Sequence, residues 1–192
     1  MYVYVDNAAT TAMSKTAVDA MLPYLQETFG NPSSLHTTGQ IAKEALEKAR
    51  KTVADCINAD IKEIYFTSGG SEADNQAIIS AAYYGAKKGK KHIISSKFEH
   101  HAVLHTLKKL EKQGFTVTLV DVNKDGVIDP ADVEKAITPE TALVTIMFAN
   151  NEIGTLQPVA EIGKICKEHK VIFHTDTVQA AGHVKVDVKA IN

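Results

Sequence analysis

At 192 residues the chain has room for one domain, or one domain and part of a second. Its 44% hydrophobic and 23% charged content is that of a globular protein able to bury a core. A formal net charge of −2 gives no electrostatic basis for holding nucleic acid or an anionic membrane, and no apolar run approaches the ~18 residues a membrane helix needs.

In chain order, residues 2–6 read as an extended start, and 15–29 as a helix interrupted by Pro23, where a kink or break is expected. Gly30-Asn31-Pro32-Ser33-Ser34 is a loop by composition. From Thr38 a long helix is predicted, with Ile41, Ala45, Ala49, Val53 and Cys56 at helical spacing. Elements then alternate. Strands are predicted at 63–67, 92–96, 115–120, 142–148 and 171–175, and helices at 72–84, 99–113, 130–137 and 159–169. That alternation implies βαβ units: an α/β fold of three layers, with helices on both faces of a mainly parallel (mixed) central sheet.

Cys56 and Cys166 lie far apart and form no CxxC pair, which fits a reducing compartment. Both fall at apolar helix positions and read as buried structural thiols. The start shows no basic segment leading into an apolar stretch, so no secretory leader is expected and the protein is expected to be cytoplasmic.

In open α/β sheets ligands gather outside the carboxyl ends of the strands, and four polar clusters fall there. Ser68-Gly69-Gly70-Ser71-Glu72 runs from a strand into a helix, and glycines beside a helix start suit a phosphate. A tight turn capped by serine explains the same residues. Glu99-His100-His101 offers an imidazole for stacking or proton transfer; exposed histidines in a first helical turn are the plainer alternative. A metal at His100, His101 and His105 lacks a third ligand of obvious spacing. Asn150-Asn151-Glu152 leaves a buried strand, where amides need partners. A turn accounts for only one of the asparagines. Asp176 follows the apolar run Val171-Ile172-Phe173 and is placed to pair with a protonated ring nitrogen, or else to cap a turn.

Asp121-Val122-Asn123-Lys124-Asp125-Gly126 resembles the opening of a calcium loop. The loop's twelfth position is Asp132 rather than glutamate, and a strand precedes it where a helix is required, so a turn is the better reading.

Taken together, Asp6-Asn7-Ala8-Ala9-Thr10-Thr11, Gly30-Asn31-Pro32-Ser33-Ser34, Thr67 through Asn75, Glu99-His100-His101-Ala102-Val103, Asn150 through Gly154 and Asp176-Thr177-Val178-Gln179 resemble the NifS/IscS-like cysteine desulfurases. These are class V aminotransferases of the fold-type I pyridoxal 5'-phosphate (PLP) enzymes. The resemblance covers essentially the whole chain. It implies PLP as cofactor and conversion of L-cysteine to L-alanine, with sulfur passed to an enzyme cysteine as a persulfide for iron–sulfur cluster or other sulfur-compound biosynthesis.

The same resemblance implies that Gly70 and Ser71 cradle the phosphate. His100, the expected catalytic residue, stacks on the ring and moves protons. Asn151 and Gln179 contact the ring hydroxyl region, and Asp176 holds the ring nitrogen. It further implies a homodimer and a sulfur-acceptor or scaffold protein as partner. Residues 1–14 are expected to pack with a small domain, and 15–192 to form the PLP-binding large domain, incomplete at its C-terminus.

Two departures stand out. Thr177 occupies a position that is usually alanine. The family's Schiff-base lysine, in a Ser-Gly-His-Lys motif, and its persulfide cysteine are absent from the 192 residues, and neither Lys185 nor Lys189 sits in that motif. The chain is therefore expected to be an N-terminal portion, inactive alone. A selenocysteine lyase, another class V aminotransferase, or a non-catalytic fragment that associates with another chain are the alternatives.

Overall fold

The computed structural model describes Met1 and residues 3–192; Tyr2, in the predicted extended start, lies outside the described residues. Contacts divide the chain into two compact units, Met1–Ile64 and Tyr65–Asn192.

In the first unit, α1 (Lys15–Gln26) begins where Ser14 Oγ accepts the Ala17 N–H at 3.2 Å. It stops short of the predicted residue 29. Pro23 sits in its last turn, and the Pro23 carbonyl takes the N–H of both Glu27 and Thr28 as the chain leaves the helix. The long helix α2 (Thr37–Ile57) is capped at its start by His36 and ended by Asn58 in the left-handed conformation, φ 56°. Its apolar stripe is largely uncovered. Of its residues only Gly39 and Ala54 are buried, and Cys56 is exposed. The thiol at Cys56 is thus not a buried structural one, because α1 buries no residue and offers α2 no cover. The strand predicted at 63–67 is also absent. Asp60 and Glu63 close a capping box that winds Ile61–Glu63 into a 3₁₀ turn, and Tyr65 and Phe66 beyond it are exposed.

The second unit carries the alternation. It runs α3 (Gly70–Ala86), β1 (His92–Ser96), α4 (His101–Glu111), β2 (Thr116–Val120), α5 (Pro130–Ala136), β3 (Thr141–Thr145), α6 (Val159–Glu168), β4 (Ile172–His174) and α7 (Val188–Ile191). The strands line up as β2-β1-β3-β4, and every described ladder is parallel. Successive residues of β1 and β3 therefore face opposite layers. Ile93 and Leu143 pack with Ile78, Val103, Leu107 and Leu110 of α3 and α4, whereas Ile94 and Val144 pack with Val133, Ile162 and Cys166 of α5 and α6. This is the three-layer α/β/α arrangement, and it buries both central strands completely.

Within the sheet, His92 bonds β1 to both neighbours. Its Nδ1 meets Thr141 Oγ1 at 2.8 Å and its Nε2 meets Thr118 Oγ1 at 2.9 Å, one donor and one acceptor for a neutral imidazole. By contrast β4, predicted to be a buried strand, is an edge. It has β3 on one side only, and Ile172 is 39% exposed.

Topology then fixes where a site must form. The chain leaves β1 for α4 on one face and leaves β3 for α6 on the other. The strand order reverses between these two neighbours, which opens a crevice at their carboxyl ends.

Candidate functional site

Strand-like hydrogen bonding continues past β3 and carries two predicted clusters into that crevice. The Ile146 N–H bonds to the His174 carbonyl at 3.1 Å, and the Phe148 N–H to the Asp176 carbonyl at 2.8 Å. Asp176 is thereby held beside the end of β3, and it is buried. Its Oδ1 accepts the Val178 N–H at 2.9 Å, as a turn cap does, while among the described residues Oδ2 has no hydrogen-bond donor. Burial pushes this carboxyl up from its ordinary value. The Val178 N–H opposes that shift, the charge of Asp74 adds to it, and His174 and His100 counter it. A half-satisfied buried carboxylate is an acceptor ready for a cationic N–H.

His100 is the N-cap of α4, its Nδ1 accepting the Ala102 N–H at 3.1 Å. Nδ1 is therefore unprotonated in the neutral ring, and Nε2 carries the proton. The ring is exposed, lining a cavity of about 330 Å³ together with Glu99, Asn150 and Asn151. His101 stacks on His105 at 5.5 Å while lining the same cavity, and among the described residues no group of three metal-ligating side chains occurs.

The two asparagines separate cleanly. Asn150 is structural: its Oδ1 accepts the N–H of Glu152 and Ile153, and its Nδ2 donates to the Phe98 carbonyl. Asn151 has no such bonds among the described residues, so its amide is available in the cavity.

Gly70 and Ser71 open α3. Gly69 before them has no side chain to cap the turn, and Glu72, which takes both the N–H and the hydroxyl of Ser68, turns back and away. The first N–H groups of a seventeen-residue helix are thus free to bind an oxyanion. A Cβ on Gly70 would lie 2.7 Å from Val178 Cγ2. The start of α3 and the segment after Asp176 are accordingly packed against each other. Gln179 is half-buried in the turn that follows, closed by the Thr177 carbonyl.

Two buried acids of the site, Asp74 and Glu99, carry no role in the sequence reading. Asp74, on α3, is buried and lies 3.6 Å from His174 Nε2, whose Nδ1 meets Thr145 Oγ1 at 2.8 Å. Its signal was available: Asp74 shares one helical stripe with Ile78 and Ala82, an acid on an apolar face. Glu99, quoted only as a neighbour of His100, is itself buried in the site. The calcium-like loop is a turn. Asn123 Oδ1 takes the N–H of Asp125 and Val127, Asp121 pairs with Lys97, Asp129 caps α5 and Asp132 pairs with Lys135.

Residues 3–192 match the family described as aminotransferase class-V. The chain is 56% identical over 190 residues to a cysteine desulfurase IscS of Methanosarcina thermophila, covering 99% of this chain and 47% of that protein. A relative of the same name from Clostridium botulinum is 53% identical, with 48% of it covered. Among solved structures, that of SspA in complex with cysteine superposes with a TM-score of 0.94 at 40% identity, over 98% of this chain and 54% of that one. A cysteine desulfurase from Thermococcus onnurineus gives 0.88 at 33%, over 98% and 47%. The chain spans about half the length of the curated relatives it matches.

Proposed function

This chain belongs to the aminotransferase class-V family, and we propose that it forms the PLP-binding part of a cysteine desulfurase. The observation that carries the reading is Asp176: a buried carboxylate at a strand's carboxyl end, one oxygen open, electrostatically coupled to the exposed imidazole of His100. PLP supplies, when bound, an electron-withdrawing ring that is effective only while its nitrogen stays protonated.

The chain's own residues fit that group in three ways. The uncapped start of α3 at Gly70 and Ser71 would take the phosphate, and glycine at position 70 leaves the space a Cβ would fill against Val178. Asp176 would hold the ring nitrogen, with Asn151 and Gln179 at the ring hydroxyl. His100, with its proton on Nε2, would lie on the ring and exchange protons with the substrate. Thr177 sits half-buried beside Asp176 and would bring a hydroxyl close to the ring.

The substrate of this reading is L-cysteine and the product L-alanine. The sulfur goes to a cysteine thiol as a persulfide, and from there to an acceptor or scaffold protein for iron–sulfur cluster assembly. The SspA neighbour, solved with cysteine, supports the substrate. Cys166 does not suit the sulfur-carrying role, because burial pushes its thiol up to about 12. No Ser-Gly-His-Lys motif occurs in the sequence, so the 192 residues would hold PLP without a covalent bond. The reading also includes a homodimer, a cytoplasmic location, and a boundary after residue 14 between a small-domain segment and the large domain. No described helix is long and apolar enough to cross a membrane.

The gene product as the cell makes it provides the test. With PLP, a thiol reductant and L-cysteine it is expected to release L-alanine and sulfide in equal amounts. Pyruvate and ammonia in place of alanine, or turnover of selenocysteine alone, would contradict the reading.

A further inference from the structure

Glu99, like Asp74, is a buried acid in the crevice to which the family roles assign nothing. It sits just before the cap of α4, and its Oε1 accepts two hydrogen bonds: from Ser96 Oγ at 2.8 Å and from the Met147 N–H at 3.0 Å. Those donors come from the end of β1 and from just past β3, the two strands on either side of the crevice. The other oxygen, Oε2, is buried with no hydrogen-bond partner among the described residues. Around it lie Asp74 from α3, Asp176 from just past β4 and, lining the same cavity, His100 at the start of α4; His174 and His100 act on Asp176. The charges that act on Glu99 are those of Asp176 and Asp74, both negative, and no lysine or arginine offsets them.

A buried carboxylate with two donors on one oxygen and none on the other is poorly solvated as an anion. As an acid it keeps both bonds on Oε1 and places its proton on Oε2. The electrostatics agree: burial, with the two neighbouring carboxylates, pushes Glu99 up to about 7. Neighbouring carboxylates cannot all ionise cheaply, and Glu99, which faces two of them with no donor on Oε2, takes the proton.

We propose that Glu99 is a positioning residue of the cofactor site, a neutral acid that ties the ends of β1 and β3 together through Oε1 and carries on Oε2 the proton that lets Asp176 remain ionised. The proposal rests on the cofactor reading above, and it extends that reading to a residue that touches neither ring nor substrate. Gln at position 99 preserves both the acceptor and the neutral state, whereas Ala removes the tie.

The test uses the 192-residue chain with ¹³C-labelled glutamate carboxyls, titrated by NMR. One glutamate is expected to titrate near 7, to vanish in Glu99→Gln, and to move toward the ordinary range in Asp176→Asn, where a negative neighbour is gone. Equilibrium dialysis of PLP gives the second readout. Glu99→Gln is expected to bind PLP as the parent chain does, and Glu99→Ala to lose about tenfold or more. If every glutamate titrates in the ordinary range while PLP still binds, the proposal is overturned and the cofactor reading stands. If Glu99 titrates near 7 but the parent chain binds no PLP, the cofactor reading falls and the positioning role with it. Loss of PLP binding in Glu99→Gln equal to that in Glu99→Ala would also overturn the proposal. Should Glu99→Ala fail to fold, the titration and the Gln variant decide.

Discussion

Two buried titratable groups make opposite demands on pH. The folded chain binds the proton of Glu99 more tightly than the unfolded chain does. Stability from this residue is full below the ordinary carboxylate value of 4.5 and is lost as pH rises through about 7. The loss is about 3 kcal/mol. His92, held neutral between two threonines, has its pKa lowered by burial from 6.5, so its contribution is lost as pH falls below that value. Urea denaturation across this range is expected to show a decline on the alkaline side that Glu99→Gln abolishes. An alkaline decline of the same size in the variant would contradict the assignment. At this scale the sequence was only partly legible. Asp176 and the paired asparagines are readable as strand-end polar residues. That Asn150 spends its amide on the backbone while Asn151 keeps its own free depends on the rotation of the turn, which a sequence does not carry. Cys56 was misread because an apolar stripe shows where a residue could be buried, not whether anything covers it.

Among the elements, the seating of α3 on the sheet governs the anion-binding end of the site. Gly85 lies where a Cβ would come within 2.3 Å of Ala142 Cβ, so helix and strand meet with no side chain between them. Gly85→Ala is expected to cost about 1–3 kcal/mol through overpacking and to weaken PLP binding by shifting Gly70 and Ser71. A thermal midpoint equal to the parent's would show that the helix is not so tightly seated. The strands and helices of the second unit were legible because a doubly covered parallel sheet writes itself as short apolar runs between amphipathic helices. The predicted strand at 63–67 failed because its apolar residues, Ile64, Tyr65 and Phe66, imitate such a run while a local capping box at Asp60 turns the chain just before them. Periodicity also could not tell an edge strand from a central one. Ile172 reads as buried together with Val171 and Phe173, yet it is 39% exposed, because among the described strands β4 has a partner on only one side.

For the molecule as a whole, the first unit is the informative part. α1 buries no residue, and Met21, Leu22, Tyr24 and Leu25 are all 44% exposed or more. Between the helices, Ala20, Tyr24, Ala45, Leu46 and Ala49 line an apolar groove of about 520 Å³. Surfaces of this kind mark contacts with further protein, and the chain is expected to elute above its monomer size and to bind a hydrophobic dye. A clean monomer without dye binding would contradict that. The fold class could be read from the sequence, but the division at Ile64 could not, because no change in composition marks it.

Asp176 is, in this reading, the ring-nitrogen partner of a PLP site built from the strand ends of the second unit. Equilibrium dialysis of PLP against the parent chain and Asp176→Asn, followed by borohydride reduction and peptide mapping, tests it most directly. Reversible binding is expected of the parent, about tenfold or more weaker in the variant, with no lysine labelled. Equal affinity in the two chains, or PLP fixed on Lys185 or Lys189, would contradict it.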